Sequence, residues 1–248
     1  MKNLDLIKKA KNLRKETFDA FVKKGEAHLG GSFSMIETLV YLLEKVLKKN
    51  DKFILSKSHA SYPFILMLRK KGFKPKLTTH LEIDEKNGIN CTTGSLGHGF
   101  PIGVGMALAR KIMKKKGNIY VMVSDGECQE GTTWEASLIA AKYNLANLFL
   151  IIDYNKIQAL TTLKEGLPLS SLKKKFNAFN FNTIEIKDGH NFNLISKKFK
   201  TSKKKNKPTV FIVHTIKGKG IKQFENDPVW HARKIEGKDI EVGNKSLK

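Results

Sequence analysis

Three observations predict an α/β fold, a parallel sheet flanked by helices on both faces. Short runs rich in β-branched and aromatic residues recur at 53–55, 119–123, 148–152, 183–186 and 210–213. Each is almost continuously apolar rather than alternating, the pattern of strands buried on both sides. Segments with helical periodicity lie near 3–24, 35–48, 58–71, 99–115, 131–142 and 191–200, so most strands are separated by helix. The 248 residues contain no internal repeat and no Pro/Gly/Ser-rich linker, so residues 1–248 read as one domain.

The elements follow in order. The first helix places Leu4, Ile7, Leu13, Phe18 and Phe21 at amphipathic spacing, without the apolar core and small-residue cleavage site of a signal peptide. Ala27-His28-Leu29-Gly30-Gly31-Ser32-Phe33-Ser34 is a small-residue turn before a second helix. Ser34 is expected to cap that helix, with Glu37 completing a capping box. The first strand runs into Ser56-Lys57-Ser58-His59. The second is followed by Ser124-Asp125-Gly126-Glu127 and a helix, the third by Asp153-Tyr154-Asn155-Lys156-Ile157. Asp188-Gly189-His190 is read as a structural cap of the 191–200 helix, and His214 as buried packing at a strand end. The stretch 214–248, with Gly218, Gly220, Pro228 and Gly243, reads as loop and mobile tail.

Ligands of a parallel sheet bind at the carboxyl ends of its strands, which directs attention to the loops after 123, 152 and 213. Asp125 and Asn155 lie one strand–helix–strand unit apart, and a right-handed crossover sets such strand ends side by side. A carboxylate and an amide carbonyl there can hold Mg²⁺, and Gly126 lets a diphosphate approach the backbone. Asp-Gly after a strand is also a common turn, so this pair alone leaves a structural role open.

The formal net charge is +23, yet only Arg14, Arg69, Arg110 and Arg233 are arginines, leaving 46 − 4 = 42 lysines spread along the chain. That distribution suits a solvated lysine-rich surface rather than a nucleic-acid face, for which arginine is the bidentate reader. Attraction to an acidic partner is a further reading. Two cysteines without paired spacing fit a reducing compartment, hence the cytoplasm. No apolar run approaches the roughly 20 residues of a membrane span.

Taken together, the motifs resemble the diphosphate-binding (PP) half of transketolases, thiamine diphosphate enzymes. The carriers are Asp125-Gly126-Glu127-Cys128-Gln129-Glu130-Gly131 with Trp134-Glu135-Ala136, then Asn155 thirty positions on, the His28 and His59 segments, Thr92-Thr93-Gly94-Ser95-Leu96-Gly97, and Lys217-Gly218-Lys219-Gly220 before Trp230-His231. They run in order over about residues 10–235. The resemblance implies Mg²⁺ on Asp125, Asn155 and the Ile157 carbonyl. It implies the cofactor on His59, Gly94, Ser95, Leu96, Gly126, Glu127, Asn155 and His231. His28, His80 and His231 would polarise substrate or relay its protons, on the ordinary imidazole pKa near 6.5. Glu130 and Glu135 would face a pyrimidine-binding domain. The segment around His80 keeps only part of the family pattern, and His98 stands where long transketolases carry Gln.

The implied activity is transfer of a two-carbon ketol unit from a ketose to an aldehyde. The family's activating glutamate lies on the second domain, beyond the 248 residues here. The expectation is therefore a split enzyme: a heterotetramer with a C-terminal subunit that carries the pyrimidine-binding domain, acting on sugars or sugar phosphates, with no nucleic acid and no membrane. Other thiamine diphosphate reactions stay open: deoxyxylulose-phosphate synthesis, a 2-oxo-acid dehydrogenase α subunit, or transfer to an unusual sugar in glycan assembly. A non-catalytic basic binding module is the remaining alternative.

Overall fold

Five strands form one parallel sheet in the computed structural model, which describes residues 2–25, 28–159, 161–202 and 206–248. Chain order is α1 (Lys2–Lys24), α2 (Leu29–Ser34), α3 (Ile36–Tyr41, continued by a π-helical turn, Leu42–Val46), β1 (Lys52–Leu55), α4 (Tyr62–Lys70), α5 (Gly99–Ile112), β2 (Ile119–Ser124), α6 (Gly131–Lys142), β3 (Leu148–Tyr154), α7 (Leu172–Ala178), β4 (Asn182–Ile186), α8 (Phe192–Thr201), β5 (Thr209–His214) and α9 (Lys238–Ser246). The sheet order is β1-β2-β3-β5-β4. Every expected strand is present, shifted by at most two residues at either end.

Alternate strand residues feed two separate cores, which is why the runs are continuously apolar. Tyr120, Met122, Ile151, Phe211 and Val213 face α1–α4 and α8. Ile119, Val121, Val123, Leu150, Ile152 and Ile212 face α5–α7. Gly103 lets α5 lie directly on the sheet, since a Cβ there would sit 2.4 Å from Val121 Cγ2.

The structure departs from expectation at five points. The 214–248 stretch is not all loop: α9 occupies Lys238–Ser246, and its Gly243 takes the edge of the buried Phe18 ring, leaving no room for a Cβ. α7 was not anticipated because its lysine-rich turn offers only Leu172 and Phe176 as an apolar face. The capping box is not formed. Ser34 ends α2, and Glu37 instead pairs with Arg14 at 2.7 Å and with His190 Nδ1 at 2.9 Å. The α8 cap is Asn191, whose side chain accepts from Asn193 and Leu194 N–H, while His190 Nε2 accepts the Ile216 N–H at 2.9 Å. His214 is half-buried at its strand end, against the Tyr154 ring and 3.4 Å from Glu185.

Candidate cofactor site

β2 and β3 are adjacent, with Ser124 opposite Asp153, so Asp125 and Asn155 emerge side by side at the carboxyl ends of the strands. A cavity of about 240 Å³ lies there, lined by Asp125, Gly126, Asn155, Ile157, Lys217 and His231 among others. A larger cavity, about 760 Å³, lies at the opposite end of the sheet between Tyr41, Tyr120, Phe149 and Phe199. Its carboxylate, Asp51, is taken up by the Lys48 and Asn118 backbone N–H groups, and it sits at the wrong end of the strands for the ligand sites of parallel sheets.

Asp125 is buried, and Oδ2 accepts the Lys156 N–H at 2.5 Å, leaving Oδ1 without a hydrogen bond among the described residues. Burial raises its pKa to about 7, with Asp153 adding to the rise. Asn155 is buried too; Oδ1 accepts the Ile157 N–H at 3.1 Å. With the Ile157 carbonyl this makes a set of hard oxygen donors that suits a small divalent cation. Such a cation would also return Asp125 to its ionised form. Gly126 leaves open space on its cavity side: a Cβ there would find nothing nearer than 3.5 Å.

Two buried lysines complete the floor. Lys217 Nζ donates to the Ile157 carbonyl at 2.8 Å, the Gln158 carbonyl at 3.0 Å and His231 Nδ1 at 3.0 Å. Burial lowers its pKa to about 8. Lys57 donates to the Gly31 carbonyl at 2.8 Å and pairs with Asp153 at 2.5 Å. Gly30 and Gly31, expected in a turn, lie in the short helix α2 and leave room for these side chains. A Cβ on Gly30 would meet Lys217 Cγ and the Trp230 carbonyl at 2.8 Å, and one on Gly31 would meet His59 Nε2 at 3.3 Å.

The three rings of His28, His59 and His231 meet, with centroids 5.4–6.0 Å apart. Burial and the neighbouring cations lower His231 to about 4, and burial with Lys57 holds His59 well below the usual imidazole value. Lys217 donates to Nδ1, so His231 is the neutral tautomer with its proton on Nε2. At neutral pH it therefore presents an Nε2–H donor. The expectation of an ordinary pKa near 6.5 is thereby corrected for His231.

The other expected residues are placed as follows. His80 is exposed, and its ring packs where a Cβ of Gly94 would be; it does not join the other three histidines. Leu96 lines the cavity, whereas Gly94 and the exposed Ser95 lie beside it. Glu127 is fully buried behind the wall. Its carboxylate accepts from Ser56 Oγ, Gly97 N–H (3.1 Å) and Ser124 N–H (2.9 Å), tying three loops together. Glu130 and Glu135 are exposed, and Glu130 reaches the cavity rim. His98 is exposed at the start of α5. Lys57, Lys217 and Asp153 stand inside the motifs named from the sequence but received no role there. The available signal was their place just after strands β1 and β5 or at the end of β3, and among 42 lysines an ammonium group carries no distinguishing mark.

Residues 7–247 match the family described as transketolase, thiamine diphosphate binding domain. The chain is 34% identical to an apulose-4-phosphate transketolase subunit of Actinobacillus succinogenes, over 98% of this chain and 96% of that protein. It is also 34% identical to a 6-deoxy-6-sulfo-D-fructose transketolase subunit of Clostridium sp. strain MSTE9, over 94% and 92% of the two chains. Among solved structures, the transketolase of Campylobacter jejuni superposes with a TM-score of 0.86 at 25% identity, over 98% of this chain and 43% of that longer one.

Proposed function

The chain belongs to the transketolase thiamine diphosphate-binding family, and from that premise we propose that it is the diphosphate-binding subunit of a split transketolase. It would move a two-carbon ketol unit from a ketose to an aldehyde only when joined to a subunit carrying the pyrimidine-binding domain. The observation that carries this is Asp125 and Asn155 at adjacent strand ends, over a floor that holds Lys57 and Lys217. Relatives of nearly the same length that are themselves named as subunits support the split arrangement.

Mg²⁺ would be held by Asp125 Oδ1, Asn155 Oδ1 and the Ile157 carbonyl. Gly126 and Lys217 would receive the diphosphate, the lysine as a point charge. Bound there, the cofactor supplies a nucleophilic thiazolium carbon for breaking and making carbon–carbon bonds. This chain's residues bind and orient. The Nε2–H of His231 donates to a substrate oxygen, and His28 and His59 form the polar wall beside it. Substrates are ketoses and aldoses with an anionic end group, the class to which a sugar phosphate and a sulfosugar both belong.

The second subunit has a surface to sit on. Ile102, Ile112 and Met113 of α5 with its adjoining residue, and Leu138 and Ile139 of α6, are 43–71% exposed in the isolated chain, with Glu130 and Glu135 alongside. Apolar area of this kind marks an interaction face. Two buried, unpaired cysteines fit a cytoplasmic enzyme, and no described helix is long and apolar enough to cross a membrane.

The test is calorimetric titration of thiamine diphosphate into the chain co-expressed with its candidate partner, with and without Mg²⁺, beside Asp125→Ala. Binding that needs Mg²⁺ and disappears in the variant is expected. Equal behaviour of the two proteins refutes the site, and robust ketol transfer by this chain alone refutes the split.

A further inference from the structure

We propose that Asp153 is a positioning residue that sets the shape of the cofactor site by holding four of its segments on one carboxylate. Asp153 lies on β3, two residues before Asn155, is 2% exposed, and does not line the cavity. Oδ2 accepts from Ser34 Oγ at 2.5 Å, from Lys57 Nζ at 2.5 Å and from Asn155 Nδ2 at 3.4 Å. Oδ1 accepts from Thr215 Oγ1 at 2.5 Å.

Each partner governs one wall. Ser34 ends α2, the helix that carries Gly30 and Gly31. Lys57 bonds the Gly31 carbonyl and lies two residues before His59. Thr215 lies two residues before Lys217. The amide of Asn155 is oriented at both ends: Nδ2 donates to Asp153, while Oδ1 takes the Ile157 N–H beside the expected metal position. Replacing the carboxylate by an amide puts an NH₂ group among these donors, and the Asn155 side chain loses the contact that fixes which end is oxygen.

A fully buried ion pair is a poor stability device, because desolvating both charges offsets their attraction. Lys57 is wholly buried and Asp153 nearly so. A pair of this kind, with three further donors on the same carboxylate, specifies one arrangement of its surroundings.

This inference rests on the proposed cofactor site, and the experiment separates the two. Asp153→Asn is compared with wild type, with Ser34→Ala/Thr215→Val, and with Gly243→Ala, a destabilised variant remote from the site, all co-expressed with the partner. Unfolding temperature is measured, and the Mg²⁺ concentration for half-maximal thiamine diphosphate binding is titrated at a temperature where every variant is folded. Asp153→Asn should raise that concentration tenfold or more, and the double variant about threefold in the same direction, whereas Gly243→Ala lowers the unfolding temperature alone. Should Asp153→Asn fail to fold, the double variant, which leaves the ion pair intact, decides. Unchanged Mg²⁺ dependence beside a normally binding wild type overturns the role of Asp153 only. A wild type that does not bind the cofactor overturns the site and this inference with it.

Discussion

Lys217→Met should stabilise the cofactor-free protein at neutral pH. The ammonium group is buried, and its pKa falls from 10.5 to about 8. At about 1.4 kcal/mol per tenfold change, the fall of 2.5 means that holding the charge in the fold costs about 3 kcal/mol. Methionine has nearly the same length and removes that cost. It also leaves the Ile157 and Gln158 carbonyls and His231 Nδ1 without their donor. Water in the adjoining cavity can replace the lysine at part of this set, so the loss is about 1–2 kcal/mol in total. The variant is therefore ahead by about 1–2 kcal/mol, or about 3–6 °C in a domain of this size. The sign with pH follows from linkage. Between pH 8 and 10.5 the unfolded chain holds a proton on Lys217 that the folded chain has released, so wild type gains stability as pH rises. The advantage of the variant is full below pH 8, shrinks as pH rises, and is reversed by about pH 10.5, where only the roughly 1–2 kcal/mol loss of its missing donors remains. The other lysines and tyrosines titrate in both proteins and cancel in the difference. Denaturant melts of both proteins without cofactor, at about pH 7 and about pH 10.5, measure it. A variant less stable than wild type at neutral pH, or an advantage that does not shrink with pH, refutes the reasoning.

Gly126→Ala should fold with unchanged stability, since its Cβ meets nothing nearer than 3.5 Å. It should nonetheless weaken thiamine diphosphate binding about tenfold by standing where the diphosphate approaches, as calorimetry beside a thermal melt would show. Gly243→Ala should do the reverse. Its Cβ would lie 2.1 Å from Phe18 Cζ, and overpacking of this kind costs about 1–3 kcal/mol, read as a lower melting temperature with cofactor affinity retained in the folded protein.

The sheet was legible because each strand is buried on both faces and so carries an unbroken apolar run. That Asp125 and Asn155 would stand together was legible for a related reason: they lie one crossover apart at the carboxyl ends of strands, and β2 and β3 are indeed neighbours. Glu127 shows the limit. Its sequence neighbours make it look like a ligand, and only the fold reveals that donors from three protein residues already surround it. His80 differs in kind, since its segment keeps a histidine while the fold leaves it outside the ring cluster. Lys57 and Lys217 were hidden by composition. α9 was hidden because its glycine, a loop signal in sequence, is there to admit an aromatic ring.

The strand order β1-β2-β3-β5-β4 has a bearing on how the chain is made. β5, the last strand synthesised, pairs with β3 on one side and β4 on the other. Until it emerges, β4 has no neighbour to join, and β3 presents an open apolar edge of the sort on which nascent chains aggregate. The sheet thus closes from its middle, by insertion, and closure waits for residues past 209. Thr215, Lys217 and His231 come later still. Cofactor capture is accordingly a late event in biogenesis, and its availability bears on the whole domain at the moment the last gap is filled.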